Sequence, residues 1–252
     1  MELGIKGKKV LVVGASRGIG RAIALAFAKE GTSIIAIART EESLKTLQQE
    51  INSNDGGYCS YYVADVANGS ACQLAKRMVS ERGGFDIVVH NVGGPLGIRD
   101  PLAPLSDWQS VWHYNAGIAI DMNSVLIPPM IKQGWGRIIH ISSISGIMLR
   151  GSAEYATAKA YLNAYTKTLG RAIAKSGVVV SAVMPGAVAF ENSYWDNYLR
   201  TDPTRCEDFL RHHQAVGRFG TPEEIANFVV LLGSELATFA QGTVIPVGGG
   251  NM

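Results

Sequence analysis

Tyr155 and Lys159 stand four residues apart in the stretch SAEYATAKAYLNAYTKTL, residues 152–169, whose composition predicts a helix. Residues at this spacing lie on the same face of a helix, so a phenol and an ammonium group are presented side by side. An unperturbed tyrosine has a pKa near ~10, and a neighbouring cation stabilises its ionised form. The pair can therefore serve acid–base chemistry, although a Y-x-x-x-K spacing by itself also occurs by chance.

A glycine-rich turn, GASRGIGRAIALAFAKEG, follows the first predicted strand. Glycines in a strand-to-helix turn let the backbone approach a pyrophosphate, which the N–H groups at the helix start then hold. The spacing is G-x-x-x-G-x-G, which differs from the G-x-G-x-x-G of the general dinucleotide fingerprint. With a strand before it and an amphipathic helix after it, the turn predicts a dinucleotide site formed by Gly14, Ser16, Arg17, Gly18, Ile19 and Gly20.

The end of the second predicted strand bears on which dinucleotide binds. A carboxylate about 20 residues past the glycine turn binds the ribose hydroxyls of NAD, whereas an arginine accommodates the 2′-phosphate of NADP. The strand ends at Arg39 and Thr40 with no acid at its tip, and Arg17 adds a second guanidinium. Glu41 and Glu42 follow, but they are explained by a helix that begins there with Thr40 as its N-cap. The sequence thus predicts NADP(H) in preference to NAD(H).

Short β-branched runs alternate with longer helical patterns along the chain, which is typical of repeated βαβ units. Strands this apolar are buried on both faces, as in a parallel sheet covered by helices. We therefore predict a doubly wound α/β fold with a seven-stranded parallel sheet, in a single domain over residues 1–252. The predicted strands are 8–14, 33–38, 58–64, 85–91, 136–142, 178–184 and 242–247. The predicted helices are 18–30, 41–52, 68–82, 106–132, 152–175 and 222–233.

One segment, residues 185–220, departs from this alternation and mixes aromatic with charged residues. It predicts a long irregular connection, and connections of that length in a compact domain are commonly lids or binding elements. Because it leaves the carboxyl end of a strand, where open α/β sheets bind ligands, we expect a substrate lid over about 187–217. The side chains expected to line an apolar pocket there are Met148, Leu149, Phe190, Tyr194 and Trp195.

Composition and charge argue against several other classes of protein. The 252 residues are 47% hydrophobic and 17% charged, with a net charge of +2 and no block of like charges, so we expect neither a nucleic-acid partner nor a membrane partner. No apolar run approaches the ~18 residues that span a bilayer, and a cytoplasmic protein is expected. The five histidines and three cysteines lack ligand spacing, so no metal site is predicted.

Taken together, several separated motifs resemble one family. In addition to the glycine turn and the tyrosine–lysine pair, Asn91 follows the fourth strand and two serines follow the fifth. With PG at 185–186 and RFGTPEEIANFVVLLGS at 218–234, the chain resembles the classical short-chain dehydrogenase/reductases over essentially its whole length. It is similar in particular to their 3-oxoacyl-acyl-carrier-protein reductase members. The resemblance implies a Rossmann-type fold and hydride transfer between NADP(H) and a small-molecule carbonyl or secondary alcohol.

The resemblance also implies a role for each catalytic position. Tyr155 would be the general acid and base, and Lys159 would lower the pKa of Tyr155 and hold the nicotinamide ribose. Ser143 would position the substrate oxygen, with the adjacent Ser142 as the alternative. Asn115 would anchor a water that leads protons to the lysine. A polar residue that only satisfies a helix kink is the structural alternative for Asn115.

Further residues are implied to line the cofactor cleft. Asp65 and Val66 would contact the adenine, Asn91 would stabilise the sheet and the cleft, and the backbone from Pro185 to Val188 would approach the carboxamide. The complete predicted cofactor-binding set is Gly14, Ser16, Arg17, Gly18, Ile19, Gly20, Arg39, Asp65, Val66, Asn91, Gly93, Tyr155, Lys159, Pro185, Gly186 and Val188.

Three departures from the family pattern leave the substrate open. The N-N-A-G stretch reads His90-Asn91-Val92-Gly93-Gly94, position 190 carries phenylalanine where threonine is common, and Val247 to Gly250 lack an acid. None of these touches proton transfer directly. Two alternatives to the oxidoreductase therefore stand: a catalytically silent dinucleotide-binding regulatory protein, and an isomerase or dehydratase on the same scaffold. The resemblance further implies a homotetramer or homodimer.

Overall fold

The computed structural model describes residues 2–53 and 57–250. Its core is a parallel sheet of seven strands in the order β3-β2-β1-β4-β5-β6-β7. The strands are β1 (Lys9–Val13), β2 (Ser33–Ala38), β3 (Tyr58–Val63), β4 (Ile87–His90), β5 (Gly136–Ile141), β6 (Val178–Pro185) and β7 (Val244–Val247). The helices are α1 (Gly18–Lys29), α2 (Glu41–Asn52), α3 (Ala71–Arg82), α4 (Leu105–Trp112), α5 (Ile118–Gln133), α6 (Ser145–Met148), α7 (Ala153–Ile173), α8 (Tyr194–Thr201), α9 (Pro203–His213) and α10 (Pro222–Gly233).

Alternate residues of the central strands point into two separate cores, because successive side chains of a strand face opposite sides of the sheet. Val10 and Val12 of β1 belong to one core, which α1, α2 and α10 cover. Leu11 and Val13 belong to the other, which α3 and α5 cover. The predicted doubly wound sheet with helices on both faces is confirmed, and each predicted strand is present with boundaries that differ by at most a few residues.

The strand order reverses between β1 and β4, and doubly wound sheets bind ligands beyond the carboxyl ends of the strands at such a point. Backbone contacts hold the glycine turn there. The Asn91 side-chain Nδ2 donates to the Gly14 carbonyl at 2.9 Å, and a Cβ on Gly20 would overlap that same carbonyl. Gly20 is therefore required by the close packing of α1 on β1.

The predicted helix over 106–132 is interrupted by one wide turn. Between α4 and α5 the chain forms a single π-helical turn over His113–Gly117, with Asn115 at its centre. The Asn115 Nδ2 donates to the Val111 carbonyl at 2.8 Å, so the side chain satisfies a backbone acceptor within the interrupted helix. Single π turns of this kind are common at functional sites.

The segment 185–220 is more regular than predicted. It contains two helices, α8 and α9, so the expected irregular connection was wrong. Ser193 accepts a hydrogen bond from the Asp196 N–H, and Asp202 accepts one from the Arg205 N–H, each capping a helix start. A serine cap and an Asp-Pro start were readable in the sequence, but the mixture of aromatic and charged residues obscured the helical period.

Helix length and side-chain clustering bear on membrane and metal binding. Within the described ranges, no helix is both long and apolar enough to cross a bilayer. Those ranges also bring no group of three or more His, Cys, Asp or Glu together as metal ligands. Cys59, Cys72 and Cys206 are free thiols, and Cys59 and Cys206 are buried among the packed side chains.

Candidate active site

A cleft of about 510 Å³ opens at the carboxyl ends of the strands. Most of the residues predicted from the sequence line it together, whereas Gly18, Gly20 and Asn115 lie behind its surface. The predicted residues on its walls are Gly14, Ser16, Arg17, Ile19, Arg39, Asp65, Val66, Asn91, Gly93, Ser143 and the alternative serine Ser142, Tyr155, Lys159, Pro185, Gly186 and Val188.

Tyr155 and Lys159 reach this cleft from the first two turns of α7. The helix begins after Ser152, whose hydroxyl accepts a hydrogen bond from the Tyr155 N–H at 3.4 Å. The ammonium nitrogen of Lys159 lies 5.8 Å from the centroid of the Tyr155 ring. The two side chains therefore share one face of the helix, the face that lines the cleft.

The two adjacent serines after β5 have different surroundings. The Ser143 hydroxyl faces the phenol of Tyr155 and accepts a hydrogen bond from the Ser145 N–H at 3.1 Å, at the start of the short α6. The Ser142 hydroxyl instead donates to the backbone carbonyl of Lys159 at 3.4 Å. Ser143 is thus the serine that faces the phenol, whereas Ser142 fastens β5 to α7.

Burial sets the protonation of the pair. Burial raises the pKa of Tyr155, and the hydrogen bond with Ser143 partly offsets this rise. Burial also lowers the pKa of Lys159 to about 7, while its Nζ donates to the Ile141 carbonyl at 2.9 Å. Removing both groups from water disfavours both charged forms, so burial dominates the pKa of Tyr155 in the structure, and the predicted lowering of that pKa by Lys159 stays a prediction. At neutral pH the phenol keeps its proton, as a general acid must.

Asn115 clamps the loop after β4 against the lysine. Its Nδ2 donates to the Gly94 carbonyl at 2.8 Å, and its Oδ1 accepts from the Gly94 N–H at 3.0 Å. A Cβ on Gly93 would lie 2.7 Å from Asn115 Oδ1 and 2.8 Å from Lys159 Nζ. Asn115, Gly93 and the lysine head are therefore in close contact, and only glycine fits at position 93.

The glycine turn and the start of α1 are built to hold an anion. Within the described residues, no side chain caps α1 at its first residue Gly18, and no acid stands in its first turn. The N–H groups of that turn and the positive end of the helix dipole are thus available to a phosphate. Gly14 and Gly18 both have positive φ angles, and a Cβ on Gly186 would lie 2.5 Å from the Gly248 backbone. These features fit a dinucleotide.

The residues that line the cleft differ in part from those predicted. Tyr114, next to Asn115, lines the cleft and was not predicted, although its position in HYNAG was a usable signal. Phe190 packs its ring directly over Gly18. Met148 and Leu149 do not line the cleft as expected, since the short α6 turns the chain outward there.

A parallel sheet with a glycine turn at its switch point, and a serine, a tyrosine and a lysine converging beside it, is typical of one class of nicotinamide-dependent oxidoreductases. Comparison with known proteins narrows that class. The sequence profile described as enoyl-(acyl carrier protein) reductase matches residues 14–251. The 3-oxoacyl-(acyl-carrier-protein) reductase of Aquifex aeolicus is 35% identical over 263 aligned positions, which cover 99% of both chains.

Solved structures agree with these sequence matches. The L-sorbose reductase of Gluconobacter frateurii, in complex with NADPH and L-sorbose, is similar with a TM-score of 0.92 and 31% identity, covering 100% of this chain and 98% of that one. A 3-oxoacyl-(acyl-carrier-protein) reductase of Agrobacterium tumefaciens with NADP bound has a TM-score of 0.91 and 28% identity, with 99% and 96% covered. The chain belongs to the short-chain dehydrogenase/reductase family, and its cofactor is a nicotinamide dinucleotide.

Replacing Lys159 with methionine should stabilise the fold, most strongly at neutral and lower pH. The unfolded chain binds a proton at this lysine below its ordinary pKa of 10.5, and the folded chain only below about 7. The lysine therefore weakens the fold increasingly as pH falls from about 10 to about 7, by at most about 5 kcal/mol. Loss of the bond to Ile141 offsets about 1–3 kcal/mol, which leaves a net gain of about 2–4 kcal/mol.

Thermal melts of Lys159→Met at pH 7 and pH 10 measure this effect. Lys167→Met, at an exposed lysine of the same helix, is the matched control and should leave the melting temperature nearly unchanged at both values. A gain for Lys159→Met that does not depend on pH, or a loss at pH 7, would contradict the buried-charge account.

Proposed function

We propose that this protein is an NADP(H)-dependent oxidoreductase that interconverts a carbonyl and a secondary alcohol. The observation that carries the proposal is the convergence of Ser143, Tyr155 and Lys159 on one cleft, where the Ser143 hydroxyl faces the Tyr155 phenol. Two hydroxyl groups that meet in this way form a site for one substrate oxygen, because each can turn its hydrogen-bonding capacity toward it.

During reduction Tyr155 donates its phenolic proton to the substrate oxygen, and during oxidation the phenolate takes that proton back. Ser143 donates a hydrogen bond to the same oxygen and holds it in place. The buried ammonium group of Lys159 stabilises the phenolate left after proton transfer, when a neighbouring negative charge favours its protonated form. The nicotinamide supplies or accepts the hydride when bound.

The residues that would hold the cofactor follow the cleft from end to end. Asp65 and Val66 lie at the adenine end, where the Asp65 carboxylate already accepts from the Ala67 N–H at 3.0 Å and orders the loop. The uncapped start of α1 would bind the pyrophosphate. Lys159 would bind the nicotinamide ribose, and the backbone from Pro185 to Val188 the carboxamide.

Two arginines support a preference for NADP(H). Arg17 and Arg39 both line the cleft. Arg39 directly follows β2, where no acid stands at the strand tip, and the Arg17 guanidinium donates to the Asn192 carbonyl at 3.2 Å. Guanidinium groups suit a phosphate through paired, charge-assisted hydrogen bonds. The nearest acid along the chain, Glu41, pairs with Lys45 at 3.2 Å, so it serves the α2 surface. The two structures named above, with NADPH and NADP, are in keeping with this preference.

The lid is proposed to be the segment 187–217. Its near part lines the cleft through Phe190 and Trp195. Its two helices carry an aromatic cluster in which the rings of Trp195 and Phe209 pack at an interplanar angle of 39°, with centroids 4.2 Å apart. A short backbone ladder fastens its base, since Val188 pairs with Gly220. Aromatic walls favour a substrate with an apolar body.

The two alternatives predict different behaviour toward the cofactor. A silent regulatory protein would bind the dinucleotide without turnover, yet the hydroxyl pair and the buried lysine are arranged as proton transfer requires. An isomerase or dehydratase would leave the redox state of the cofactor unchanged. Following absorbance at 340 nm, where only the reduced nicotinamide absorbs, against a broad panel of ketones separates both from a reductase.

Changes at the two hydroxyl groups should separate catalytic from structural serines. Tyr155→Phe removes the proton donor and should lower kcat/KM for ketone reduction by about 100-fold to 10,000-fold. Ser143→Ala should cost at least about 100-fold. Ser142→Ala is the matched control, because the Ser142 hydroxyl lies on the same cleft wall but donates to the Lys159 backbone carbonyl, and its activity should stay near the parent. NADPH binding, measured by fluorescence, should survive in each variant, and full activity of Tyr155→Phe would refute the mechanism.

Variants that remove Arg17 or Arg39 should weaken the binding of NADPH and leave the binding of NADH nearly unchanged. Removing Arg17 or Arg39 deletes a charge-assisted contact worth about 1.5–3 kcal/mol, or roughly 10-fold to 150-fold in the Kd of NADPH. Arg21→Ala is the control, because Arg21 pairs with Glu50 at 2.6 Å instead of lining the cleft. Equal losses for NADH and NADPH in calorimetric titrations would contradict the 2′-phosphate assignment.

A homotetramer or homodimer is proposed from an exposed apolar surface. Leu105 and Trp112 of α4 and Tyr161 of α7 are 71%, 37% and 45% exposed, and the rings of Trp112 and Tyr161 meet edge to face at 5.6 Å. Apolar side chains grouped in this way suit an interface between copies of one chain.

Light scattering should therefore give a mass of two or four times the 26.9 kDa of one chain. Tyr161→Asp should shift the protein toward a smaller species, because a charge would be desolvated in the interface. Leu199→Asp, at a lid residue that is 43% exposed, is the control and should leave the mass unchanged. A single-chain mass for the parent protein would contradict the assembly.

A further inference from the structure

A chain of buried polar side chains lies behind the catalytic cleft. His90 at the end of β4 contacts Asn123 of α5, with Nε2 and Oδ1 2.9 Å apart. Asn123 Nδ2 lies 3.2 Å from His140 Nε2, and His140 Nδ1 lies 2.8 Å from the Thr166 hydroxyl. The four side chains are at most 5% exposed. The family's N-N-A-G stretch has asparagine where this chain has His90, so the sequence itself marks the position as a departure.

The Leu162 carbonyl, at the far end of this network of four side chains, fixes the donor and the acceptor of each hydrogen bond in it. The Thr166 hydroxyl lies 2.8 Å from the Leu162 carbonyl, which can only accept, so Thr166 donates there and accepts from His140 Nδ1–H. Burial holds the pKa of His140 well below its ordinary value, so the ring is neutral and its Nε2 must accept. That acceptor requires the amide nitrogen of Asn123.

The same reasoning fixes the state of His90. With its nitrogen committed to His140, Asn123 presents its oxygen to His90, so His90 Nε2 carries the proton and donates. Burial lowers the pKa of His90 to about 4, so this ring is neutral as well. The other ring nitrogen, Nδ1, therefore carries a lone pair. It is buried, and no donor in the described chain reaches it.

A cavity of about 10 Å³ lies beside His90 and Asn115. That volume is close to the ~10–15 Å³ that one water molecule needs. Asn115 Oδ1 accepts one hydrogen bond, from the Gly94 N–H, and retains a second lone pair, whereas both hydrogens of its Nδ2 are used. Two residues on opposite sides of this cavity, His90 and Asn115, thus each carry an acceptor with a lone pair to spare. Its remaining walls are Val13, Val92, Tyr114, Ile118, Ala119 and Leu162.

We propose that one buried water occupies this cavity and donates to both His90 Nδ1 and Asn115 Oδ1, which makes His90 a positioning residue for the active site. The water fixes the Asn115 amide, the amide clamps Gly94, and the adjoining Gly93 packs between Asn115 and the Lys159 ammonium group. Only one part of this proposal rests on the proposed function, namely the effect of His90 on turnover through Lys159. The water and the tautomer can be tested without it.

Two substitutions separate the two nitrogens of His90. In His90→Gln the side-chain amide can take the place of Nε2 and keep the bond to Asn123, but it offers nothing at the position of Nδ1. In His90→Asn the shorter amide reaches the position of Nδ1 and can still accept from the water, but it loses the bond to Asn123. A merely structural role in the buried network predicts that His90→Gln is the milder change.

The proposal predicts the reverse order for activity. His90→Gln should lower kcat for ketone reduction about 10-fold with little change in the KM of NADPH, which is less than the roughly 100-fold that a 1 Å misplacement costs. His90→Asn should stay within about 3-fold of the parent while its melting temperature falls. Asn123→Leu, the network control, should behave like His90→Asn. The opposite order in kcat would overturn the positioning role.

Two measurements on the unmodified protein test the water itself. A crystal structure near 1.5 Å resolution should show one water within about 2.7–3.1 Å of both His90 Nδ1 and Asn115 Oδ1. Nitrogen-15 NMR of labelled histidine should show His90 neutral at pH 7 with the proton on Nε2. A dry cavity, or a proton on Nδ1, would overturn the proposal whether or not the protein reduces any carbonyl. If both results hold but no ketone is reduced, the proposed function fails and the water site stands.

Discussion

The burial of one ammonium group is the constraint around which the catalytic end of this molecule is arranged. Lys159 is 3% exposed and points its Nζ at the Ile141 carbonyl, 2.9 Å away. A buried cation needs close hydrogen-bonding partners, because the surrounding protein replaces water poorly. The carbonyl at the end of β5 meets that need directly. The loop after β4 leaves room for the ammonium group through Gly93, and the π turn supplies the asparagine that holds this loop.

The residues 90–94, at the end of β4 and in the loop after it, contact three different parts of the molecule. His90 faces the buried polar network, Asn91 binds the carbonyl of Gly14 in the phosphate-binding turn, and Gly93 gives room to the lysine head. One short segment thus connects the cofactor turn, the catalytic helix and the core. This explains why a departure from the family pattern here leaves Tyr155 and Ser143 in place, since neither side chain rests on His90 directly.

The distribution of apolar residues was sufficient to predict the sheet, because strands buried on both faces are short, continuous apolar runs bounded by turns. The helical period also placed Tyr155 and Lys159 on one helix face, since four residues correspond to about one turn. The same reasoning could not choose between Ser142 and Ser143, whose side chains point in different directions only after the chain turns into α6. Nor could it give the direction of the pKa shift of Tyr155, which depends on burial. The helices α8 and α9 were not predicted, because both are short and aromatic residues on several of their sides obscure the amphipathic pattern.

Phe190 has a consequence for the environment of the phosphate-binding turn. Its ring covers Gly18, the first residue of α1, and belongs to the apolar packing that continues into the core. An aromatic ring in that place covers part of the surface around Gly18, which is itself only partly exposed. In a medium less polarisable than water the attraction between those dipoles and a negative charge is screened less. The phenylalanine should therefore strengthen the hold of the backbone on the phosphate proposed for this turn, without contributing a polar atom of its own.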